Sequence, residues 1–429
     1  MKYLKGLSDK GEIMEKNSKN QKITAALLII YIILYLSYVT VYVSRQNLSV
    51  ATPVLKELKI MDAFQIGVLG TIFSIVYSIG RLVNGRIGDK IKPKYMISTG
   101  LLLICVSNFA FGFFPGFQIC MILWGINAIG QSMLWGPILR TFSRILPQER
   151  ITRLMSFFAT AIPMGTVAGI LISTGAIRFK GVSFAFYVPS AISLILAVTV
   201  FIVVGRIGKK YETSGEVRKE AEKGTALPLK QLLKDKMLLS TFIPTFFQGI
   251  VKENINLWLS LFFVSKFSID LEKSTLYVFM IPLIGMAGRL IYPFLFRIFG
   301  RSEYKVNIFA FGVIAASSIP LIFIKTGHNP IWVIIAASLC LGLISAAVSV
   351  INHSMLTMMP LRFAKYESSS TVSGIIDFLS YAGAASGSLI YGALLDKNDN
   401  FHIMFISWIT ISLISILLSY ISHKKISLK

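Results

Sequence analysis

The sequence predicts an all-α membrane protein in which twelve transmembrane helices form two pseudo-symmetric six-helix bundles. Three observations predict it: an apolar composition, a division of the chain into segments of bilayer length, and an internal repeat. Of 429 residues, 54% are apolar and 15% are charged, whereas soluble domains carry roughly 25% charged residues. A water-soluble globule of this length would need more polar side chains to cover its surface. A disordered chain is excluded by 31 Phe, 16 Tyr and 5 Trp, which do not stay solvated. The net charge of +23 does not mark a nucleic-acid binder, because Lys and Arg sit in short runs between long apolar stretches.

A helix that crosses a bilayer needs about 20 apolar residues. Twelve segments meet this requirement: 24–52, 64–85, 95–114, 118–143, 153–177, 182–205, 238–264, 275–299, 305–324, 330–358, 369–393 and 401–421. They divide the chain into an N-terminal tail (1–23), a first bundle (24–205), a central loop (206–237), a second bundle (238–421) and a C-terminal tail (422–429). If both termini share one side, the linkers on that side hold thirty Lys and Arg, and those on the other hold eight. Positive charge concentrates on the cytoplasmic side of membrane proteins. Both termini are therefore expected in the cytoplasm, with the protein in the cell membrane. Residues 1–22 are polar and lack the short apolar core of a signal peptide.

The longest polar stretch, 206–236, falls between the sixth and seventh segments and separates two six-helix halves. Many secondary transporters are built this way and hold their substrate near the midplane, where the halves meet. An internal repeat supports the same plan. The first half reads Arg45-Gln-Asn-Leu-Ser and then Gly80-Arg81-Leu82-Val83; the second reads Lys252-Glu-Asn-Ile-Asn and then Gly288-Arg289-Leu290-Ile291. The two pairs of cations are 36 and 37 residues apart.

These four cations lie inside apolar segments, where each costs about 2.5–3.5 kcal/mol if it faces lipid at the helix centre. Arg45, Arg81, Lys252 and Arg289 are therefore expected to face a wet cavity or a partner, and they are the candidate substrate-binding residues. Two embedded acids, Glu253 and Asp377, are candidates for coupling or charge balance. Four cations against two acids leave a surplus that attracts an anion, and Arg offers a planar fork that matches phosphate or carboxylate oxygens. Structural roles compete with this reading. Arg45 and Arg81 can cap a helix end and snorkel outward, and Arg289 can belong to a network near the inner face. Side chains adjacent in sequence point about 100° apart on a helix, so Lys252 and Glu253 are not expected to form one simple ion pair.

Other signals are local. Gly85, Asp89 and Lys90 form a tight turn after the second segment that reads as a conformational latch. Gly383, Gly387 and Gly392 permit close helix packing. Cys105, Cys120 and Cys340 lie in apolar runs and are read as packing residues, without a disulfide framework or metal spacing. No P-loop, nucleophile elbow or dinucleotide motif occurs, so neither an enzyme nor an ATP-driven pump is expected, and no cofactor or metal.

The chain resembles the major facilitator superfamily and, within it, the organophosphate:phosphate antiporters, which include glycerol-3-phosphate and hexose-phosphate transporters. The residues that carry the resemblance are YVSRQNLSVATPVL around Arg45, YSIGRLVNGRIGDK at 77–90, and the fourth segment. There Leu123-Trp124-Gly125-Ile126-Asn127 and Gln131-Ser132-Met133-Leu134-Trp135-Gly136-Pro137 are similar to the family's Trp–Asn–Gln–Pro signature. FYVPSAISL at 186–194 and STVSG at 370–374 are looser matches. The resemblance implies that Arg45 is the first-half phosphate-binding Arg, that Arg81 replaces a Lys, and that Lys252 replaces the second-half Arg. It also implies a His in the fifth segment of sugar-phosphate members; SFFATAIPMGTVAG at 156–169 has none.

The expected function is secondary active transport of an organic anion, most specifically a phosphorylated metabolite exchanged for inorganic phosphate by alternating access. The expected partners are that anion, inorganic phosphate and the lipid bilayer, with the protein a monomer. A proton- or sodium-coupled symporter of organic carboxylates is the alternative, and a non-transporting anion sensor is a third reading.

Overall fold

Apolar stretches of bilayer length become helices because a bilayer offers no water to unpaired backbone groups. In the computed structural model, residues 2–145, 157–158, 160–212, 229–363, 369–398 and 400–427 are described, and the side chains of 2–25 and of several helix ends are not. The spans are α1 (Lys2–Glu57), α2 (Ala63–Lys90), α3 (Pro93–Phe111), α4 (Phe117–Ser132, resuming as Trp135–Ile145), α5 (Ala161–Lys180) and α6 (Phe184–Glu212). The second set is α7 (Lys236–Phe267), α8 (Leu271–Val278, resuming as Met280–Ile298), α9 (Glu303–Ile322), α10 (Ile331–His353), α11 (Ser369–Asn398) and α12 (Phe401–Ser427). Among the described residues, eleven helices are long and apolar enough to cross a membrane, and α7 falls short of that measure. Its middle reads Lys-Glu-Asn-Ile-Asn at 252–256, so the polarity that lowers its hydropathy is the candidate site itself.

Local chemistry fixes the helix ends. Asp62 and Gln65 form a reciprocal capping box at the start of α2, and Asp235 accepts from the amides of Met237 and Leu238 at 2.9 Å to start α7. The first apolar segment outruns its expected end: α1 continues through Pro53 to Glu57. α10 ends in a π-helical turn, Ser354–Met358. Arg362, just beyond, pairs through both its Nε and Nη2 with the buried carboxylate of Glu303 at the start of α9. Outward-facing Ile195, Leu290 and Phe109 belong to the apolar surface that such a protein turns to lipid.

Helix packing shows the two bundles to be copies of one plan. α1 lies against α5 as α7 lies against α11; α2 meets α4 as α8 meets α10; α3 pairs with α6 as α9 pairs with α12. Glycines set the closest approaches. A Cβ at Gly249 would meet the Ser380 carbonyl oxygen of α11 at 1.8 Å, and one at Gly383 would meet the Phe246 oxygen of α7 at 1.9 Å. In the first half, Gly165 of α5 sits on Val39 of α1 at 2.6 Å by the same measure.

Between the halves, α1 packs on α7, α2 on α11 and α5 on α8. Lys56 donates to the Leu395 carbonyl at 3.4 Å, Thr71 to that of Ala385 at 2.9 Å, and the Thr174 and Thr275 hydroxyls meet at 2.8 Å. Gly67 lies against Ser388 and Gly392. These contacts lie toward the end that carries the α1–α2 loop, opposite the termini. α2 and α11 stay together from there to Arg81 and Asp377. The tight turn expected at Gly85, Asp89 and Lys90 is instead the last part of α2, which runs unbroken to Lys90; the side chains of Asp89 and Lys90 lie outside the described residues.

Gly249→Val forces backbone apart inside one bundle and should destabilise it by about 1–3 kcal/mol, read as a lower unfolding temperature in detergent. Gly67→Val acts between bundles. It should leave that temperature near wild type and raise water-phase labelling of a cysteine introduced at Ser388, which is 1% exposed.

Candidate functional site

The site is built from the polar face of α1. Ser44, Gln46, Asn47 and Ser49 are all buried around Arg45. Asn47 donates to Asn108 of α3 at 2.7 Å, and Asn108 donates to Asn127 of α4 at 3.4 Å. Asn127 donates to the Ser44 carbonyl at 3.2 Å and accepts from Gln131 at 3.2 Å. The amides of the fourth segment thus hold the α1 backbone one residue before Arg45. On the second half, Gln248 accepts from Ser380 of α11 at 3.1 Å, and Trp258 donates to Asn254 at 3.2 Å. These bonds bracket Lys252 and Glu253. Gln46 and Ser49 both donate to the Asn256 carbonyl of α7, at 3.4 and 2.6 Å, and set α1 against α7 at this level.

Arg45 and Glu253 meet across the two halves, with Nη2 2.6 Å from Oε2. Lys252 Nζ lies 3.3 Å from the other carboxylate oxygen. This corrects the expectation that adjacent Lys252 and Glu253 do not pair. Their Cβ bonds diverge, but the four-carbon Lys stem bends its head group back to the carboxylate that Arg45 already holds. Glu253 therefore bridges two cations. Arg81 of α2 lies 3.5 Å from Asp377 of α11, again across the halves, and donates to Tyr77 Oη at 3.1 Å.

Aromatic rings close the cluster. The Arg45 guanidinium lies 4.4 Å from the Phe73 ring centre and 5.6 Å from that of Tyr77. Lys252 Nζ lies 4.6 Å from the ring of Tyr381, which stands 4.9 Å from Tyr77. Cations over aromatic faces gain about 0.5–2 kcal/mol each. Sequence reasoning did not select these rings. The available signal was Tyr77 four residues before Arg81, a spacing that places both on one helix face. Nor did it give Asn108 a role.

Arg289 is placed differently. Gly80 and Gly288 are equivalent: a Cβ at Gly80 would meet Ser132 Oγ of α4 at 2.5 Å, and one at Gly288 the Ala346 oxygen of α10 at 2.1 Å. The following arginines diverge. Arg81 reaches the interface between the halves, whereas Arg289 lies on the part of α8 that packs on α10 within the second half, where the His353 ring stands 4.7 Å from Tyr292. Among the described residues, no bond or ring contact links Arg289 to the other three cations. The cluster thus holds three cations and two acids, a surplus of one. Arg45 and Lys252 on opposite halves can each give hydrogen-bond donors to an anion of phosphate or carboxylate type. No group of His, Cys, Asp and Glu among the described residues could hold a metal ion.

The profile of the Major Facilitator Superfamily matches residues 34–388. The chain belongs to the Major Facilitator Superfamily. A "Probable hexose phosphate transport protein" of Chlamydia trachomatis is 25% identical, over 67% of this chain and 67% of that protein. A "Glycerol-3-phosphate transporter" of Bacillus subtilis is 23% identical, over 92% of this chain and 93% of that one. The crystal structure of the nucleoside transporter NupG superimposes with a TM-score of 0.72 at 14% identity, covering 93% of this chain and 98% of that one, and shows the shared fold. The superfamily member described here is a multi-pass membrane transporter and not an enzyme.

Asn127→Ala would remove its bonds to the Ser44 carbonyl and to the Gln131 and Asn108 amides, leaving only the 3.5 Å contact of Gln131 with Ser44 and the bond of Asn108 to the Ile104 carbonyl. A loss of about 1–3 kcal/mol is expected for such buried groups, measured as a lower unfolding temperature of the purified protein.

Proposed function

We propose that the transporter moves a phosphorylated organic anion in exchange for inorganic phosphate, by alternating access around the cluster of Arg45, Arg81 and Lys252. The observation that carries this reading is the placement of Arg45 and Lys252 on opposite halves around one carboxylate, in a chain similar to transporters named for hexose phosphate and glycerol 3-phosphate. An anion between them takes hydrogen bonds from both halves and draws them together. The termini lie in the cytoplasm, and the end with the α1–α2 loop faces outward. The contacts at Gly67, Thr71 and Thr174 then close the outer side, and substrate enters this state from within. The working unit is the monomer in its bilayer. Arg289 stands outside the cluster, on the part of the second half where α8 packs on α10.

The two acids favour a second reading, a proton-coupled symporter of organic carboxylates. Asp377 would then carry the proton, and a protonophore would abolish uptake.

Counterflow in proteoliposomes separates these readings. Vesicles loaded with phosphate should take up a labelled phosphorylated compound whether or not a proton gradient is present. Absence of phosphate-driven uptake for any such compound contradicts the exchange. Arg45→Ala and Lys252→Ala should each weaken phosphate binding at least about 30-fold, the affinity equivalent of roughly 2 kcal/mol, measured by titration of the folded, purified proteins.

A further inference from the structure

We infer that Glu253 is a resident counter-ion that lets the empty carrier change conformation, so that exchange is optional and net transport of the anion belongs to the activity. The inference rests on the reading of an anion carrier given above. It starts from how charge is divided between the halves. The first half presents Arg45 and Arg81, two positive charges. The second presents Lys252, Glu253 and Asp377, a single net negative charge. Both ion pairs that cross the interface join opposite charges, Arg45 with Glu253 at 2.6 Å and Arg81 with Asp377 at 3.5 Å.

A carrier whose halves present only cations to each other must bind an anion before they close, because like charges in a low-dielectric site repel strongly. Strict exchange follows from that repulsion. Here the protein supplies the anion itself. Each oxygen of Glu253 faces one cation, Oε2 toward Arg45 and Oε1 toward Lys252, the same two cations a bound phosphate would bridge. The carboxylate is 13% exposed, so water screens the pair little. With Glu253 in place, the halves attract without ligand, and the contacts toward the loop end form in the unliganded protein. An incoming anion then competes with Glu253 for Arg45. Glu253 is thus a positioning residue: it acts through Arg45 and Lys252 on the conformational step and on apparent affinity together.

The test uses proteoliposomes loaded with radiolabelled inorganic phosphate, with the membrane potential clamped by potassium and valinomycin. Efflux is measured into medium with phosphate, which reads exchange, and into medium without it, which reads net transport. Wild-type net efflux should lie within about tenfold of exchange. Glu253→Gln should lower net efflux at least about tenfold relative to its own exchange. It should also lower the external phosphate needed for half-maximal exchange, and Glu253→Asp should restore the wild-type ratio. A merely structural Glu253 would scale both fluxes alike, and an unchanged ratio in Glu253→Gln overturns the inference. So does a wild type that exchanges but shows no net efflux, which needs no variant. If the wild type shows no efflux even into medium with phosphate, or none into a third medium holding a phosphorylated compound in place of phosphate, the carrier reading itself fails, and these exchange arms report that separately.

Discussion

A guanidinium and a carboxylate from opposite halves of the molecule meet at 2.6 Å between α1 and α7, and much of the architecture serves that contact. Buried charges need partners and hydrogen bonds to offset the loss of water. The structure supplies both: Asn127 and Gln131 steady the backbone before Arg45, the Asn256 carbonyl anchors Gln46 and Ser49 opposite it, and Phe73 and Tyr77 cover the guanidinium. Breaking the pair by opening one end exposes both charges to water, where they are solvated again. The pair therefore links the conformation of the halves to what occupies the site.

The glycine contacts belong to the same physics. Apolar helices in lipid gain little from hydrophobic burial against each other, so close van der Waals approach has to hold them. Within each bundle the approach is backbone on backbone, as at Gly249 and Gly383. Between the bundles, Gly67 and Gly392 make a close but looser surface, 2.4 and 2.8 Å by the same measure, that rocking must separate. One set of small residues gives rigid units, and the other gives a seam.

The helices were legible in the sequence because hydropathy at bilayer length is a strong signal. The Gly80-Arg81 and Gly288-Arg289 repeat revealed duplicated packing and concealed a divergence: the glycines are equivalent, while Arg81 pairs with Asp377 across the interface and, among the described residues, Arg289 makes no such pair. Embedded charge selected Arg45, Arg81, Lys252, Arg289, Glu253 and Asp377 as candidates, since lipid tolerates none of them unpartnered; the structure pairs five of them and leaves Arg289 apart. Their pairing was not legible, because it depends on which helices of the two halves touch. The Lys252–Glu253 contact shows the limit of helical-wheel reasoning, as a long flexible side chain reaches where its Cβ does not point. Tyr381 was hidden for another reason: aromatic residues are common throughout this chain, and only the fold sets this one over Lys252.

The central claim is that a protein carboxylate holds the unliganded halves together in place of a bound anion. The most direct measurement is the distance between spin labels at Leu58 and Lys273, exposed positions on opposite halves at the loop end. It is taken in lipid with and without phosphate, for the wild type and for Glu253→Gln. The wild type should show short distances without phosphate, and Glu253→Gln should show longer ones that shorten when phosphate is added. Identical distance distributions for the two proteins in the absence of phosphate would contradict the claim.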